Sequence, residues 1–211
     1  FVQSSDGSES MFEMLEHYLV EKKLVDYVYD VESLINLRGN SYHTKRTEIN
    51  KFIKSYPDHL IEVLDSEKHK EEIMALFNKW VADRVKYMPK EEAEVFLEGI
   101  HQERNAIKQA LKNYEFLALI GLVIYINGEL KGFTIGEQIS VDTATVIIEK
   151  TDFEVLGCAQ FIFREFSKML KEHYGATYIN VGDDMGFENL RKVKMSYRPH
   201  KLVPKYTIYQ K

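Results

Sequence analysis

The groups in this chain whose types and spacing could carry chemistry are three carboxylates, one thiol and a set of cations near the C-terminus. Glu149 closes the β-branched run Thr143 to Glu149, where a strand-end carboxylate can deprotonate an attacking amine directly or through water. It also reads as an ordinary strand-end acid paired with Lys150. Asp183 and Asp184 follow the next strand and either orient an acceptor nucleophile or cap the helix behind them. Cys158, just past a helix start, lies where a thiolate would be stabilised and a covalent acyl-enzyme could form, although a small apolar residue packed there accounts for it as well. The seven histidines are scattered without paired-ligand spacing, so no metal site is expected. No serine, histidine and aspartate set stands out.

Arg191, Lys194 and Arg198 recur at i, i+3 and i+7 along one flank of the stripe Leu190, Val193 and Tyr197. A row of cations on one helix flank suits a phosphate, and Tyr197 or Tyr206 could stack on a base. Lys45 and Arg46, on an earlier helix, could extend the row. Residues 189–211 carry seven Lys and Arg and no acid, so subtracting this +7 from the total of −5 leaves −12 on the remainder. Such asymmetry points to an anion held near the C-terminus or to a solvated basic face, not to general nucleic-acid affinity.

The elements that must position these groups follow from periodicity. Asp26–Asp30 reads as a strand, with Asp30 capping a helix that holds Leu34, Ile35 and Leu37. After Gly39-Asn40 the helical pattern resumes with Ile49, Phe52 and Tyr56, and His59–Leu64 is a strand. Two long amphipathic helices follow, marked by Ile73, Phe77 and Val81 and by Phe96, Ile100, Ile107 and Leu111. Phe116–Ile126 and Glu129–Ile139 flank Asn127-Gly128, the signature of a tight hairpin. Thr143–Glu149 continues the meander. A helix over Gly157–His173, a strand Thr177–Val181, a short helix with Phe187, Leu190, Val193 and Tyr197, and a strand Leu202–Gln210 complete the chain. Pro204 limits how centrally that last strand can pair. The helical crossover makes strands 143–149 and 177–181 parallel neighbours.

Apolar residues at 45%, charged residues at 29% and only four prolines describe an ordinary globular core with little linker. A single cysteine excludes an internal disulfide and suits the cytoplasm. The longest apolar run, Phe116–Ile126, is about half of the roughly 20 residues a membrane-spanning helix needs. The chain opens on Phe1 without a signal-like pattern, which reads as a fragment or as a chain lacking disordered leading residues.

The element order resembles the N-acyltransferase (GNAT) superfamily. More closely, Asn189–Pro199 (Asn-Leu-Arg-Lys-Val-Lys-Met-Ser-Tyr-Arg-Pro), Val203-Pro204-Lys205-Tyr206, and Leu37-Arg38-Gly39 with Lys45-Arg46 and Phe52 are similar to the phosphatidylglycerol lysyltransferase C-terminal-domain family. The similarity spans about residues 26–211. It implies an α/β (α+β) GNAT-like fold: a mixed, mostly antiparallel sheet with two splayed parallel strands and helices on both faces. Members are usually tandem domains, so residues 1–25, which hold a helical pattern with Met11, Leu15 and Leu19 on one side, read as the remnant of a preceding one.

The resemblance also implies an acyl or aminoacyl transferase working by direct aminolysis on an amine or hydroxyl. The alternative keeps the fold as a ligand-sensing or protein-interaction module without turnover. Charged tRNA and coenzyme A are the expected phosphate-bearing donors, and anionic lipid is a further partner the resemblance allows. In acetyl-CoA enzymes of the superfamily a Gln or Arg followed by x-x-Gly-x-Gly/Ala enters the central helix and cradles pyrophosphate. Here that stretch is Glu154-Val155-Leu156-Gly157-Cys158-Ala159. Gly157 and Ala159 keep the spacing, while the negative charge of Glu154 disfavours coenzyme A. The candidate set is therefore Glu149 and Asp183 for catalysis, and Glu154, Gly157, Ala159, Arg191, Lys194 and Arg198 for the donor.

Overall fold

Asn127 and Gly128 have φ of 52° and 79°, the left-handed pair whose twist matches a two-residue hairpin. In the computed structural model, which describes residues 18–210, this hairpin joins two neighbouring strands of a seven-stranded mixed sheet. The strands are β1 (Tyr18–Asp30), β2 (Leu60–Val63), β3 (Ile120–Ile126), β4 (Glu129–Gln138), β5 (Thr143–Thr151), β6 (Tyr178–Asn180) and β7 (Lys201–Gln210). The α-helices are α1 (Val31–Asn36), α2 (His43–Ser55), α3 (Ser66–Val85), α4 (Lys90–Lys112), α5 (Cys158–Tyr174) and α6 (Glu188–Ser196). The strand order is β2-β3-β4-β5-β6-β1-β7. Every pairing is antiparallel except that of β5 with β6.

The two parallel strands are joined only from Thr143 opposite Tyr178 to Thr145 opposite Asn180. Beyond Thr145, β5 continues to Thr151 with no β6 partner, and a bulge in its pairing with β4 follows at once, between Ile135 and Gly136. A bulge bends and twists its strand, so it helps turn β5 away from β6. This is the pair of splayed parallel strands expected from the sequence.

Period-two alternation divides β3 between two layers. Val123, with Phe133, Ile135 and Ile148, is buried against Ile73, Phe77, Ile107 and Leu111 of α3 and α4. Ile120 and Leu122 pack with α1 and α5, and Ile124 and Ile126 with α2 and α5. Asp30 caps α1, accepting from the Ser33 amide at 2.7 Å, and Asp65 caps α3 by accepting from the amides of Glu67 and Lys68.

Two strand starts differ from the sequence reading. β3 starts at Ile120 instead of Phe116, because 113–118 form turns hydrogen-bonded back to α4, with Ala118 at φ 49° and Phe116 88% exposed. β1 begins at Tyr18, so the expected boundary at 25/26 falls inside a strand whose residues 18–22 already pair with β7. Leu19, expected on a helix, lies in that strand; the rest of that helix, with Met11 and Leu15, is outside the described residues. Pro204 lies on the edge strand β7 beside the register shift of β1. No helix among the described residues is long and apolar enough to cross a membrane.

Candidate active site

Glu149 stands on the half of β5 that β6 has left, directly opposite Thr134 of β4. Both face the α2 and α5 layer: on the same β4 face, a Cβ at Gly132 would touch Cys158 Sγ and one at Gly136 would touch Phe166. Glu149 keeps some accessible surface as a residue, yet its Oε2 is buried and has no hydrogen-bond partner. Burial pushes its carboxyl up to about 8, and the nearby Lys150 charge opposes this only in part. The Glu149–Lys150 pair allowed by the sequence does not form. Lys150 instead bonds Glu103 at 2.8 Å and lies 4.1 Å from the Trp80 ring centroid, on the opposite face.

Tyr197, at the C-cap of α6, approaches the same region. Its ring packs on Tyr29 and Phe163, with centroids 6.0 and 5.2 Å away, and Lys45 Nζ lies 4.3 Å from its own centroid. The Tyr42 hydroxyl donates to the Tyr197 carbonyl at 3.0 Å, and the Tyr29 hydroxyl to the Lys194 carbonyl at 2.9 Å, so two phenols fix the end of α6. Burial raises the Tyr197 hydroxyl well above its ordinary pKa, and the charges of Glu149 and then Glu48 add to the effect. The phenol stays neutral and able to donate.

Glu48 enters from α2, one turn after Lys45, and its Oε2 is also buried without a partner. Burial lowers the Lys45 pKa, with Glu48 opposing. Gly157 lets α2 come this close. Its φ is 82°, and a Cβ there would lie 2.4 Å from the Glu48 carbonyl oxygen and 3.0 Å from Phe52 Cβ. The glycine expected to admit a phosphate is thus packed beneath α2, and Ala159 follows it in the first turn of α5. Glu154 is 78% exposed as a side chain and turns to Lys79, 3.3 Å away, which also binds Asp83 and the buried Asp152.

The expected row of three cations does not form. α6 ends at Ser196, and Arg198 at φ 54° has left the helix, near enough to Tyr42 for its charge to oppose in part the rise that burial gives the Tyr42 phenol. Lys194 turns inward and donates to the carbonyls of Val181, Gly182 and Asp183 at 2.5, 3.2 and 2.5 Å, tying down the chain where it leaves β6. Arg191 is exposed and lines a cleft of about 330 Å³ with Tyr27, Asp184, Met195 and Leu202. Asp183 accepts from the Met185 amide and pairs with Lys205 at 2.5 Å, which holds its carboxyl below the ordinary value. Asp184 accepts from the buried Tyr27 hydroxyl at 2.6 Å. Both aspartates are bound up in structure. Burial, with Glu149 and Asp152 adding, pushes the Cys158 thiol up to about 12, so it remains a protonated core group.

Thr134 thus pairs with Glu149 across the strands, and Tyr197 lies within reach of the charges of both Glu149 and Glu48. Thr134 had a signal in sequence, as the one hydroxyl between Phe133 and Ile135 in an apolar strand. Glu48 had none, since a helix-flank acid beside Ile49 looks solvated.

Comparison with known proteins places this arrangement. The family model described as phosphatidylglycerol lysyltransferase, C-terminal, matches residues 5–209. A conserved protein of unknown function from Bacteroides thetaiotaomicron is similar at 32% identity and a TM-score of 0.80, over 93% of this chain and 63% of that one. The C-terminal domain of a putative lysylphosphatidylglycerol synthetase from Agrobacterium fabrum is similar in fold, at 16% identity and TM-score 0.64, over 92% of this chain and 62% of its own. L-PGS from Bacillus licheniformis gives 15%, 0.65, 92% and 62%. An uncharacterized Mycoplasmoides gallisepticum protein is 22% identical over 90% of this chain and 58% of its own length. The chain therefore spans about three fifths of these relatives.

Proposed function

Because the chain belongs to the phosphatidylglycerol lysyltransferase C-terminal family, we propose that it transfers an aminoacyl or other acyl group from a phosphate-bearing donor to an amine or hydroxyl, with Glu149 as general base and Tyr197 as proton donor. The observation that carries this reading is the buried, unpartnered Glu149 carboxylate beside a neutral phenol where the parallel strands part. A carboxyl near pKa 8 is a far stronger base, once ionised, than an ordinary glutamate, and it is matched to neutral pH.

The nucleophile's lone pair attacks the donor carbonyl, forming a C–N or C–O bond while its proton passes to ionised Glu149. Collapse of the tetrahedral oxyanion breaks the bond to the leaving oxygen or sulfur, which takes a proton from Tyr197. Glu149 then returns a proton to the phenolate, so the net transfer is from nucleophile to leaving group. The low-polarity surroundings strengthen each of these interactions.

The lysyl group in the family's description favours an aminoacyl donor, and charged tRNA meets the requirement for phosphate. Arg191 and Arg198 are the exposed cations of the original set that remain available to it. Glu154 and the covered Gly157 turn weigh against coenzyme A. An anionic lipid remains an acceptor to test.

The test offers tRNA charged with radiolabelled amino acids, with hydroxylamine or phosphatidylglycerol vesicles as acceptor. We expect release above the protein-free rate, reduced about 100-fold in Glu149→Gln and substantially in Tyr197→Phe. Binding of charged tRNA without any turnover would overturn the transferase reading in favour of a sensing module.

A further inference from the structure

The first part of β1 and the last part of β7 stand apart from the rest of the sheet. β6 pairs with β1 from Val28 to Asp30, so among the described residues 18–22 pair with β7 alone. Tyr27, buried against the α1 and α5 layer, lies opposite Leu202, and Tyr206 and Ile208 follow Leu202 on the same face of β7. Val20 is directly opposite Ile208. Leu202, Tyr206, Ile208 and Val20 are 46, 54, 59 and 41% exposed. Where this face meets α6, Phe187 and Met195 are exposed as well, and α6 has no buried residue. An uncovered apolar stripe therefore runs from α6 to the tip of the ribbon. A two-stranded ribbon by itself is marginal in water, and apolar surface of this extent marks an interaction site.

Two cations border the stripe: Lys22, opposite Tyr206, and Arg191 of α6. Their neighbours Lys23 and Lys192 are paired with Glu21 and Glu188, whereas Lys22 and Arg191 make no ion pair among the described residues. The chain enters the ribbon at its tip, where Tyr18 lies opposite Gln210. Residues 1–17, which precede that point, hold Asp6, Glu9, Glu13 and Glu16 and no Lys or Arg. Glu9, Glu13 and Glu16 recur at i, i+4 and i+7, and Met11, Met14 and Leu15 fall on the other side, the pattern of a helix with one acidic and one apolar face. Ile208 and Leu202 are separated by about 20 Å of strand, a length that about 14 helical residues also span.

We propose that residues 1–17 fold back at Tyr18 and dock on this stripe, with Met11, Met14 and Leu15 against the apolar side chains and the acids beside Lys22 and Arg191. Burial of apolar surface then stabilises the ribbon, and the charges are complementary. A second copy of the same face would instead bring Lys22 and Arg191 against like charges. The inference rests on this surface and this segment, and not on the transferase reading.

Thiol crosslinking of the whole chain tests it, since buried, protonated Cys158 leaves introduced cysteines to react first. With a short bis-maleimide, Leu15→Cys together with Tyr206→Cys should crosslink within one chain. Leu15→Cys together with Leu60→Cys, at 60% exposure on the opposite edge strand β2, should not. In Met11→Asp with Leu15→Asp, the amides of 205–210 should exchange hydrogen about tenfold faster than in the parent, while β3 and β4 keep their rates. Equal crosslinking to Tyr206→Cys and Leu60→Cys, or unchanged exchange in the aspartate variant, would overturn the proposal. A Tyr206→Cys crosslink formed only between two chains would overturn it in favour of a second copy. Should β3 and β4 lose protection too, the crosslinks, made at exposed positions of the sheet, decide the matter alone.

Discussion

The hydroxyl of Tyr42 donates a 3.0 Å hydrogen bond to the carbonyl of Tyr197, holding the end of α6 against the loop that leads into α2. This bond sets where the Tyr197 side chain stands relative to Glu149 and Glu48. Tyr42→Phe should cost about 1 kcal/mol of stability in urea denaturation, the ordinary worth of one part-buried bond. Its effect on transfer should be larger than that loss explains, since the folded fraction changes little. An activity unchanged in Tyr42→Phe would show that Tyr197 needs no such anchor.

Stability should depend on pH through Glu149. Its folded pKa of about 8 lies above the unfolded value of 4.5, so between the two the folded state binds more protons than the unfolded one. Stability from this group is therefore complete below about pH 4.5 and is lost as pH rises through about 8. Glu149→Gln should flatten this part of the profile and stabilise the protein above pH 8 by on the order of a few kcal/mol. Melting temperatures of parent and variant across pH 4 to 9 would check it; parallel curves would mean that Glu149 is ionised in the folded protein.

Two glycines with positive φ should respond differently to alanine. Gly175→Ala meets no atom within 4 Å and carries only the cost of φ 68°, about 1 kcal/mol. Gly157→Ala adds a clash with the Glu48 carbonyl oxygen and Phe52 Cβ, so it should cost severalfold more and push α2 outward. Thermal melts compare them directly. Similar losses would show that the α2 contact yields freely.

The cations of the C-terminal segment should separate into two kinds. Reversing charge at exposed Arg191 and Arg198 together should leave folding intact, weaken charged tRNA, and reduce the salt slope of binding by about 0.7 to 0.9 per lost contact. Lys194→Met should instead destabilise, because it strands the carbonyls of Val181, Gly182 and Asp183. Filter binding at several salt concentrations, with parallel denaturation curves, reads both. A double reversal that leaves affinity and slope unchanged would make Arg191 and Arg198 a solvated face.

Local patterning alone determined most of the architecture. Asn127-Gly128 specifies its hairpin because both residues tolerate left-handed backbone, Asp30 announces a helix start, and the crossover through α5 makes β5 and β6 parallel. Glu149 was legible as a base candidate because it closes the β-branched run near that crossover, although β5 itself continues to Thr151. The tertiary structure decided the rest, since a side chain's role depends on what neighbours satisfy or deprive it. Lys194 has the helical spacing of a phosphate ligand but is consumed by three carbonyls, and Asp183 by Lys205. Glu48 and Thr134, more than eighty residues apart, acquire meaning only when the packed layers, with α2 over Gly157, bury an oxygen of each without a hydrogen-bond partner. Desolvation is a property of the packed layers, and no residue spacing encodes it.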